Sequence, residues 1–362
     1  MLALPLIRDE LGLSYVQAGL LFTVGELSSL ALEPLIGVFS DRGSKRRPVL
    51  AGAVLLAFGF GLIALAPDPV WLFLAMALIY PASGAAVGLA QATLIDISPE
   101  DAGRTMTRWT ISAGTGDLLG PAVVAAVLAS GFGWRPLFWL AGLLWLGLAA
   151  LLWQQRFPPP EHAYSDTWRT PWQEVRGNLS AALGEPKLLR WLAVTLLASL
   201  LDEIFLSFAG LYLRDAVGLA PAAVTMTLGA SLAGSMLGLL VLDRLVSRVT
   251  PARVLLWASL VVLAGLVVLL AARSGWVAAA ALFVIGFSAA SWYPIAKSTA
   301  YRMLPGRSGT VQALSVVLGA PVSLGAPPLI GLAAGWFGIT AGLGLLALVP
   351  VLVLLLVPRG RR

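Results

Sequence analysis

Four acidic residues lie near the middle of long apolar runs of this chain: Glu26, Asp117, Asp202 and Glu203. A charge at the centre of a bilayer costs at least about 2.5 to 3.5 kcal/mol on insertion scales, so such residues mark function by default. Desolvation disfavours the charged form of a carboxylate, which allows the group to take up and release a proton. We therefore expect a proton site at Asp202 or Glu203, with Glu26 and Asp117 as the second candidates. Adjacent helical residues point about 100° apart, so only one of these two can face the centre of a cavity.

Two more polar residues within apolar runs extend the candidate cavity. Lys297 corresponds, 206 positions later, to Gln91. Lys297 lies about five residues, roughly 8 Å, from the end of its run, so its ammonium group could instead extend to the membrane surface. Asp202 lies roughly 21 Å from that surface, so we do not expect a direct ion pair with Lys297. Glu33 is close to a basic loop and is interpreted as a partner of its arginines.

Composition requires that these residues be held in a membrane. The chain is 59% hydrophobic and 12% charged over 362 residues, whereas soluble domains are about 45 to 50% apolar and 25% charged. Eleven apolar segments, from 15–39 to 338–357, are long enough to cross a bilayer as helices, which takes roughly 20 residues. The fold class is therefore all-α and integral to the membrane. With no Cys, a single His and no phosphate-binding loop, we expect no metal, no cofactor and no enzymatic activity.

A short cationic loop separates the first two of these segments. It contains Gly37, Asp41, Arg42, Lys45 and Arg46, with the spacing Gly, three residues, Asp-Arg, two residues, then a basic pair. This spacing resembles the signature loop of the major facilitator superfamily. One departure is that glycine precedes serine after the Asp-Arg pair, whereas the family more often has its glycine second.

The resemblance implies a fold and a gating role. Members of the family have two pseudo-symmetric bundles of six helices, and their first, fourth, seventh and tenth helices line a central cavity, which favours Asp202, Glu203 and Lys297 as cavity residues. Asp41 is expected to accept hydrogen bonds at the amino-terminal end of a neighbouring helix. Lys45 or Arg46 is expected to meet Asp96. In the family such contacts close the cytoplasmic side; the alternative is a basic loop that only sets topology.

An internal repeat supports two related halves. The pattern that begins at Arg8 and includes Gly12 recurs from Arg214 to Gly218, an offset of 206 residues. At the same offset, the span at 188–213 requires a partner before Arg8, where only seven residues stand. We therefore expect a twelfth span upstream of the sequence; the alternative is a chain of eleven spans that lacks the first helix.

The longest polar interruption divides the chain into domains. We predict an N-terminal bundle over 1–155, a cytoplasmic linker over 156–187 and a six-helix C-terminal bundle over 188–362. Trp172 and the apolar residues that follow it at helical spacing predict an amphipathic helix on the membrane surface. A disordered linker is the alternative.

A further motif surrounds Asp117. Gly116, Asp117, Gly120 and Pro121 resemble the core of the antiporter signature on the fifth helix, although the usual glycine pair after the proline is missing. The two glycines form a small-residue face suited to close helix contact, and the proline allows a bend. Ordinary glycine packing is the alternative reading.

The placement of basic residues predicts topology and location. Most of the 24 Lys and Arg fall in alternate loops, on the side that also holds the C-terminus, and the positive-inside rule makes that side cytoplasmic. We expect a monomer in a prokaryotic plasma membrane, with lipid, protons and a small molecule as its partners and no nucleic acid.

Together these features predict a secondary transporter that works by alternating access. The partial antiporter signature favours proton-coupled efflux, and several acids against one intramembrane Lys favour a cationic or neutral amphiphilic substrate. Proton-coupled uptake is the second candidate. A membrane receptor or scaffold that keeps the fold without transport is the third.

Overall fold

The structure is a computed structural model that describes residues 3–41, 43–129, 131–158, 176–177 and 180–358. These residues form helices joined by short turns. The helices are α1 (Leu4–Leu11), α2 (Tyr15–Ser40), α3 (Arg46–Leu65), α4 (Pro69–Ser83), α5 (Leu89–Ile97), α6 (Ala102–Ala129), α7 (Arg135–Trp153), α8 (Pro186–Ser199), α9 (Phe205–Asp215), α10 (Pro221–Leu245), α11 (Pro251–Ala271), α12 (Gly275–Ala289), α13 (Trp292–Met303), α14 (Ser308–Phe337), α15 (Ile339–Leu345) and α16 (Leu348–Leu356).

Eleven membrane-spanning segments are present among the described residues, as the sequence predicts. Each is long and apolar enough to cross a bilayer, from Val16–Ser40 to Ile339–Leu356. Some spans join two helices, because α4 and α5 together form one span, as do α8 and α9. The amphipathic helix predicted around Trp172 lies for the most part outside the described residues.

Local sequence signals explain where several helices begin. Ser14 caps α2 in a capping box, in which its hydroxyl accepts from the backbone N–H of Gln17 and the Gln17 side chain accepts from the backbone of Ser14. Asp68 accepts from the N–H of Val70 at the start of α4, and proline occupies the first turn of α4, α8, α10 and α11. Each of these residues satisfies or removes a backbone donor that would otherwise lack a partner.

Two spans contain a π-helical segment. Gly84–Gly88 separates α4 from α5, and Leu200–Ile204 separates α8 from α9. Segments of this kind often occur at functional sites because they locally widen the helix and change the direction of the following side chains. The second segment contains Asp202 and Glu203, the predicted proton carriers.

The chain forms two compact units. Unit 1 comprises Met1–Ile97, Thr115–Ala182 and Leu304–Ala320, and α2, α3, α4 and α7 pack together within it. Unit 2 comprises Ser98–Gly114, Leu183–Met303 and Pro321–Arg362, and includes the packed pairs α10 with α12 and α8 with α13. The predicted domain boundaries follow chain order and remain a prediction, since each unit also holds a short segment from the other half of the sequence.

The sequence repeat is also a repeat of local structure. Gly12 after α1 and Gly218 after α9 both adopt positive φ, 66° and 77°, which glycine tolerates without strain. Each is preceded by a neighbouring Arg-Asp ion pair, at 2.7 Å in the first copy and 2.6 Å in the second. The repeated residues therefore adopt the same backbone conformation, although Gly12 directly follows α1 whereas Gly218 lies three residues after α9.

Close helix packing uses other glycines than those beside Asp117. Gly234 and Gly238 of α10 lie directly against the backbone of α12 at Phe283 and Phe287, where an added Cβ would overlap carbonyl oxygens. At Gly116 and Gly120 of α6, in contrast, an added Cβ would meet no described atom within 4 Å. A role for these two glycines in close helix contact stays a prediction, and Pro121 lies within α6.

Candidate functional site

Asp41 is held at the start of α14. Its Oδ1 accepts from the backbone N–H of Gly309, and its Oδ2 accepts from the backbone N–H and the hydroxyl of Thr310, each at 2.7 Å. The carboxyl is buried, and burial raises the pKa of Asp41 against the lowering effects of Lys45 and of these donors. An acceptor at a helix amino terminus satisfies backbone donors that the helix itself leaves without partners.

A second carboxylate extends this arrangement. Lys45 Nζ lies 2.8 Å from Asp96 Oδ2 at the end of α5 and 3.5 Å from Asp41 Oδ1. The same oxygen of Asp96 accepts from the hydroxyl of Ser308, also at 2.8 Å. Two carboxylates from the first half of the sequence thus bind one lysine and the first residues of α14. We call Asp41, Lys45, Asp96, Ser308 and the following two residues the latch.

Two glycines permit the approach of α2 to α14. A Cβ on Gly37 would fall 2.5 Å from the carbonyl oxygen of Gly309, and a Cβ on Gly309 would overlap the carbonyl oxygen of Gly37. Ser40 donates to Gly37 O at 2.7 Å, and its hydroxyl also lies against Gly309, where an added Cβ would overlap it. The Gly37 of the loop signature is therefore required by its packing against α14.

The second basic residue of the pair lies elsewhere. Arg46 donates to the carbonyl oxygen of Trp153, and its guanidinium carbon lies 5.0 Å from the centre of that indole ring. Of the two predicted partners of Asp96, Lys45 makes the contact, and Arg46 instead joins the start of α3 to the end of α7. Lys45 and Arg46 are neighbours in the sequence, and adjacent helical residues point to different sides, so only one of them contacts Asp96. Arg42 lies outside the described residues.

The tight approach gives a prediction about Gly309. We expect Gly309→Ala to destabilise the α2–α14 contact by about 1 to 3 kcal/mol, the usual cost of overpacking. Gly335→Ala in the same helix is the matched control, since its Cβ would meet no described atom within 4 Å. Thermal unfolding of the purified variants should give a lower midpoint for Gly309→Ala and an unchanged or higher midpoint for Gly335→Ala. Equal midpoints would contradict the packing argument.

Unit 2 holds a related but chemically different cluster. Gly238, Asp243 and Arg244, near the end of α10, resemble the loop signature of Gly37, Asp41 and Arg42 in a degraded form, displaced by a few residues from the offset of 206. Asp243 Oδ1 accepts from Arg108 Nε at 3.1 Å and lies 4.0 Å from Arg104 Nε, both on α6. Here guanidinium groups rather than backbone amides bind the acid.

The predicted proton carriers occupy the π-helical segment of the seventh predicted helix. Asp202 is exposed in this structure, and the placement of the Glu203 side chain is not described. Both residues belong to the π-helical segment Leu200–Ile204 rather than to a regular α-helical turn, and the question of which of them faces the cavity stays a prediction.

Lys297 and Gln91, equivalent in the repeat, are both buried. Lys297 is 3% exposed, with its Nζ 5.3 Å from the ring centre of Tyr301. Its side chain therefore remains inside unit 2, and the alternative that it extends to the surface is wrong. Gln91 is 5% exposed inside unit 1. Burial of two long polar side chains in apolar surroundings is costly unless they bind partners.

The remaining acids differ in environment. Glu26 is half-buried on α2, and Asp117 is exposed on α6. Glu33 is buried, accepts a hydrogen bond from Ser29, and lies against Gly84 at the start of the first π-helical segment. The expected pairing of Glu33 with the arginines of the loop stays a prediction, and the structure adds a contact of the Glu33 side chain with Gly84.

Sequence reasoning did not assign site roles to Ser308, Gly309 and Thr310. Gly309 carried a weak signal, because it repeats Gly103 at the offset of 206. Nothing in the local sequence shows that the amides of these residues meet Asp41, since 268 positions separate Gly309 from it.

Comparison with known proteins identifies relatives by sequence and by fold. The 2-nitroimidazole transporter of Escherichia coli is 28% identical over 185 residues, which cover 47% of this chain and 46% of that protein. The multidrug resistance protein MdtG of Serratia proteamaculans is 27% identical over 300 residues, covering 78% and 70%. This chain thus spans just under half the length of the first relative and about two thirds of the second.

The fold matches solved transporter structures. The E. coli fucose:proton symporter FucP superposes with a TM-score of 0.76 at 16% identity, covering 98% of this chain and 92% of that one. At this identity the likeness concerns the fold alone. The sequence model of the Major Facilitator Superfamily matches residues 1–327, a range that contains the basic loop, the repeat and nine of the eleven described spans, and that ends within the tenth. This chain therefore belongs to the Major Facilitator Superfamily of multi-pass membrane transporters.

Proposed function

We propose that this transporter exports a small molecule in exchange for protons by alternating access. The observation that carries the proposal is the latch, in which Asp41 and Asp96 from one half of the sequence bind the first turn of α14 from the other half. Such a contact must break and reform if two homologous halves alternate around a substrate. Because the latch consists of a few polar contacts and one lysine, its free energy is small enough to be reversed in a cycle.

Proton coupling is supported by the intramembrane acids. Asp202 is placed in a π-helical segment of an otherwise apolar span, and Glu26 is half-buried on α2. A carboxylate in such surroundings is costly and is retained where it carries a proton or binds substrate. We propose Asp202 or Glu203 as the proton carrier.

We also propose that the side with most Lys and Arg residues faces the cytoplasm of a prokaryotic cell. The working unit in this proposal is a monomer.

The substrate class follows from charge. The candidate cavity residues include more acids than bases, which favours a cationic or neutral amphiphile. The names of the two bacterial relatives, a 2-nitroimidazole transporter and a multidrug resistance protein, agree with a neutral or varied organic substrate. We propose a small aromatic molecule of this kind.

Flux into proteoliposomes tests both the function and its direction. With 2-nitroimidazole and ethidium as neutral and cationic probes, we expect accumulation when the lumen is more acidic than the outside, because an antiporter exchanges luminal protons for substrate. Accumulation only under the opposite gradient would support uptake by symport, the second candidate. If neither probe accumulates under either gradient, the result would contradict the proposed transport and support a receptor or scaffold.

A further inference from the structure

A cleft rich in arginine lies within unit 2, outside the latch. Its lining includes Arg104, Arg108, Asp243, Arg244 and Arg248, together with Leu245, and it encloses about 610 Å³. Four guanidinium groups therefore surround one carboxylate. The excess of positive charge distinguishes this cleft from the latch, where carboxylates outnumber the single lysine.

The helix dipoles stabilise only some of these arginines. Arg244 is at the carboxyl end of α10 and donates to the carbonyl oxygen of Leu240 at 3.1 Å, a favourable position for a cation. Arg104 and Arg108 are in the first two turns of α6, where the helix dipole disfavours a cation. An anion is required to balance the charges of Arg104 and Arg108, and Asp243 supplies one negative charge for the two.

Hydrogen bonds within unit 2 hold two of the arginines in place. Arg104 donates to the backbone oxygen of Asp243 at 3.4 Å and to the hydroxyl of Ser247 at 3.3 Å, while Arg108 is held by its 3.1 Å contact with Asp243. The Arg108 side chain nevertheless remains 66% exposed. The outer N–H groups of Arg108 and those of Arg248 can therefore donate hydrogen bonds to another anion while Arg108 keeps its contact with Asp243.

We propose that this cleft binds a phosphate group. Guanidinium groups bind phosphate through paired hydrogen bonds, and a phosphate with one or two charges would balance the excess that Asp243 leaves. The phosphate could belong to a lipid headgroup or to a soluble ion, which share this chemistry. Exposed Leu240 and Leu245 on α10 border the arginines, so acyl chains of a lipid would have apolar surface beside the headgroup site.

The neighbouring cavity limits where the phosphate lies. It encloses about 250 Å³ and shares Arg104 with the cleft, and there Glu100 and Asp101 offset the charges of Arg104 and Arg302. These acids disfavour an anion on that side. The binding position is therefore at Arg108, Arg244 and Arg248.

Thermal unfolding of the purified full chain can test the site without any transport assay. The probes are phosphatidylglycerol, phosphatidylcholine and inorganic phosphate, titrated separately into protein in a neutral detergent. The test variant is Arg244→Gln with Arg248→Gln, which leaves both contacts of Asp243 with α6 in place. The control is Arg190→Gln with Arg253→Gln, which removes two exposed arginines of the same predicted membrane side from outside the cleft.

We expect phosphatidylglycerol to raise the unfolding midpoint of the wild type and of the control more than phosphatidylcholine does. In the test variant the apparent dissociation constant should rise at least about tenfold, since hydrogen bonds to charged groups are lost. Stabilisation by inorganic phosphate as well, with the same loss in the test variant, would assign the site to soluble phosphate. Equal responses of test and control variants, or no response to any phosphate, would overturn the proposal. Neither result depends on whether the protein transports.

Discussion

Replacing Asp202 with Asn and Glu203 with Gln is expected to abolish flux driven by a pH gradient and to leave substrate exchange at equal pH largely intact. Exchange needs the cavity but no net movement of protons, so only the driven flux depends on the carrier. A carboxylate with a structural role would keep one protonation state throughout the cycle, and its replacement would reduce both activities together. The single variants then identify which of the two residues carries the proton.

The measurement uses proteoliposomes with labelled 2-nitroimidazole, once under a pH gradient and once at equal pH with unlabelled substrate inside. Asp9→Asn is the control, since it also neutralises an acid but lies outside the apolar spans, exposed beside Arg8, and should leave both activities unchanged. Driven flux of the double variant should fall to that of protein-free liposomes. If both single variants and the double variant keep full driven flux, the assignment is wrong and Glu26 becomes the first candidate.

Asp41→Asn is expected to open the latch while leaving the protein folded. The amide group of Asn offers one acceptor oxygen where the carboxylate offers two, so at least one backbone N–H of α14 loses its partner. Hydrogen bonds to charged groups contribute about 1.5 to 3 kcal/mol each. The ratio of latched to open protein should therefore fall at least about tenfold, and transport should fall with it.

Cysteine labelling can detect this opening because the chain has no native Cys. Val38 is 1% exposed and packs against Ala313 of α14, so Val38→Cys should react slowly with a membrane-impermeant maleimide while the latch is closed. Adding Asp41→Asn should increase the rate several-fold or more, whereas Asp9→Asn, at an exposed acid beside Arg8, should not. An unchanged rate in the Asp41 variant would mean that these contacts do not hold the latch.

The spans, the class of protein and the family could be predicted from sequence because they depend on local features. A run of about 20 apolar residues must form a helix in a bilayer whatever its neighbours are, since no water satisfies its backbone. The Asp-Arg loop and the repeat at 206 residues are likewise visible in linear order. The same linear reasoning named two possible partners for Asp96, and Lys45 is the one that makes the contact.

Tertiary structure decided which partners meet across long sequence distances. Asp41 binds Gly309 and Thr310 because two glycines let α2 and α14 approach, and this distance depends on the packing of many helices rather than on either segment. The burial of Lys297 and the open surface at Gly116 have the same cause. Charge, length and apolarity are properties of a segment and can be read in order along the chain, whereas a contact requires two segments to be placed together by the whole fold.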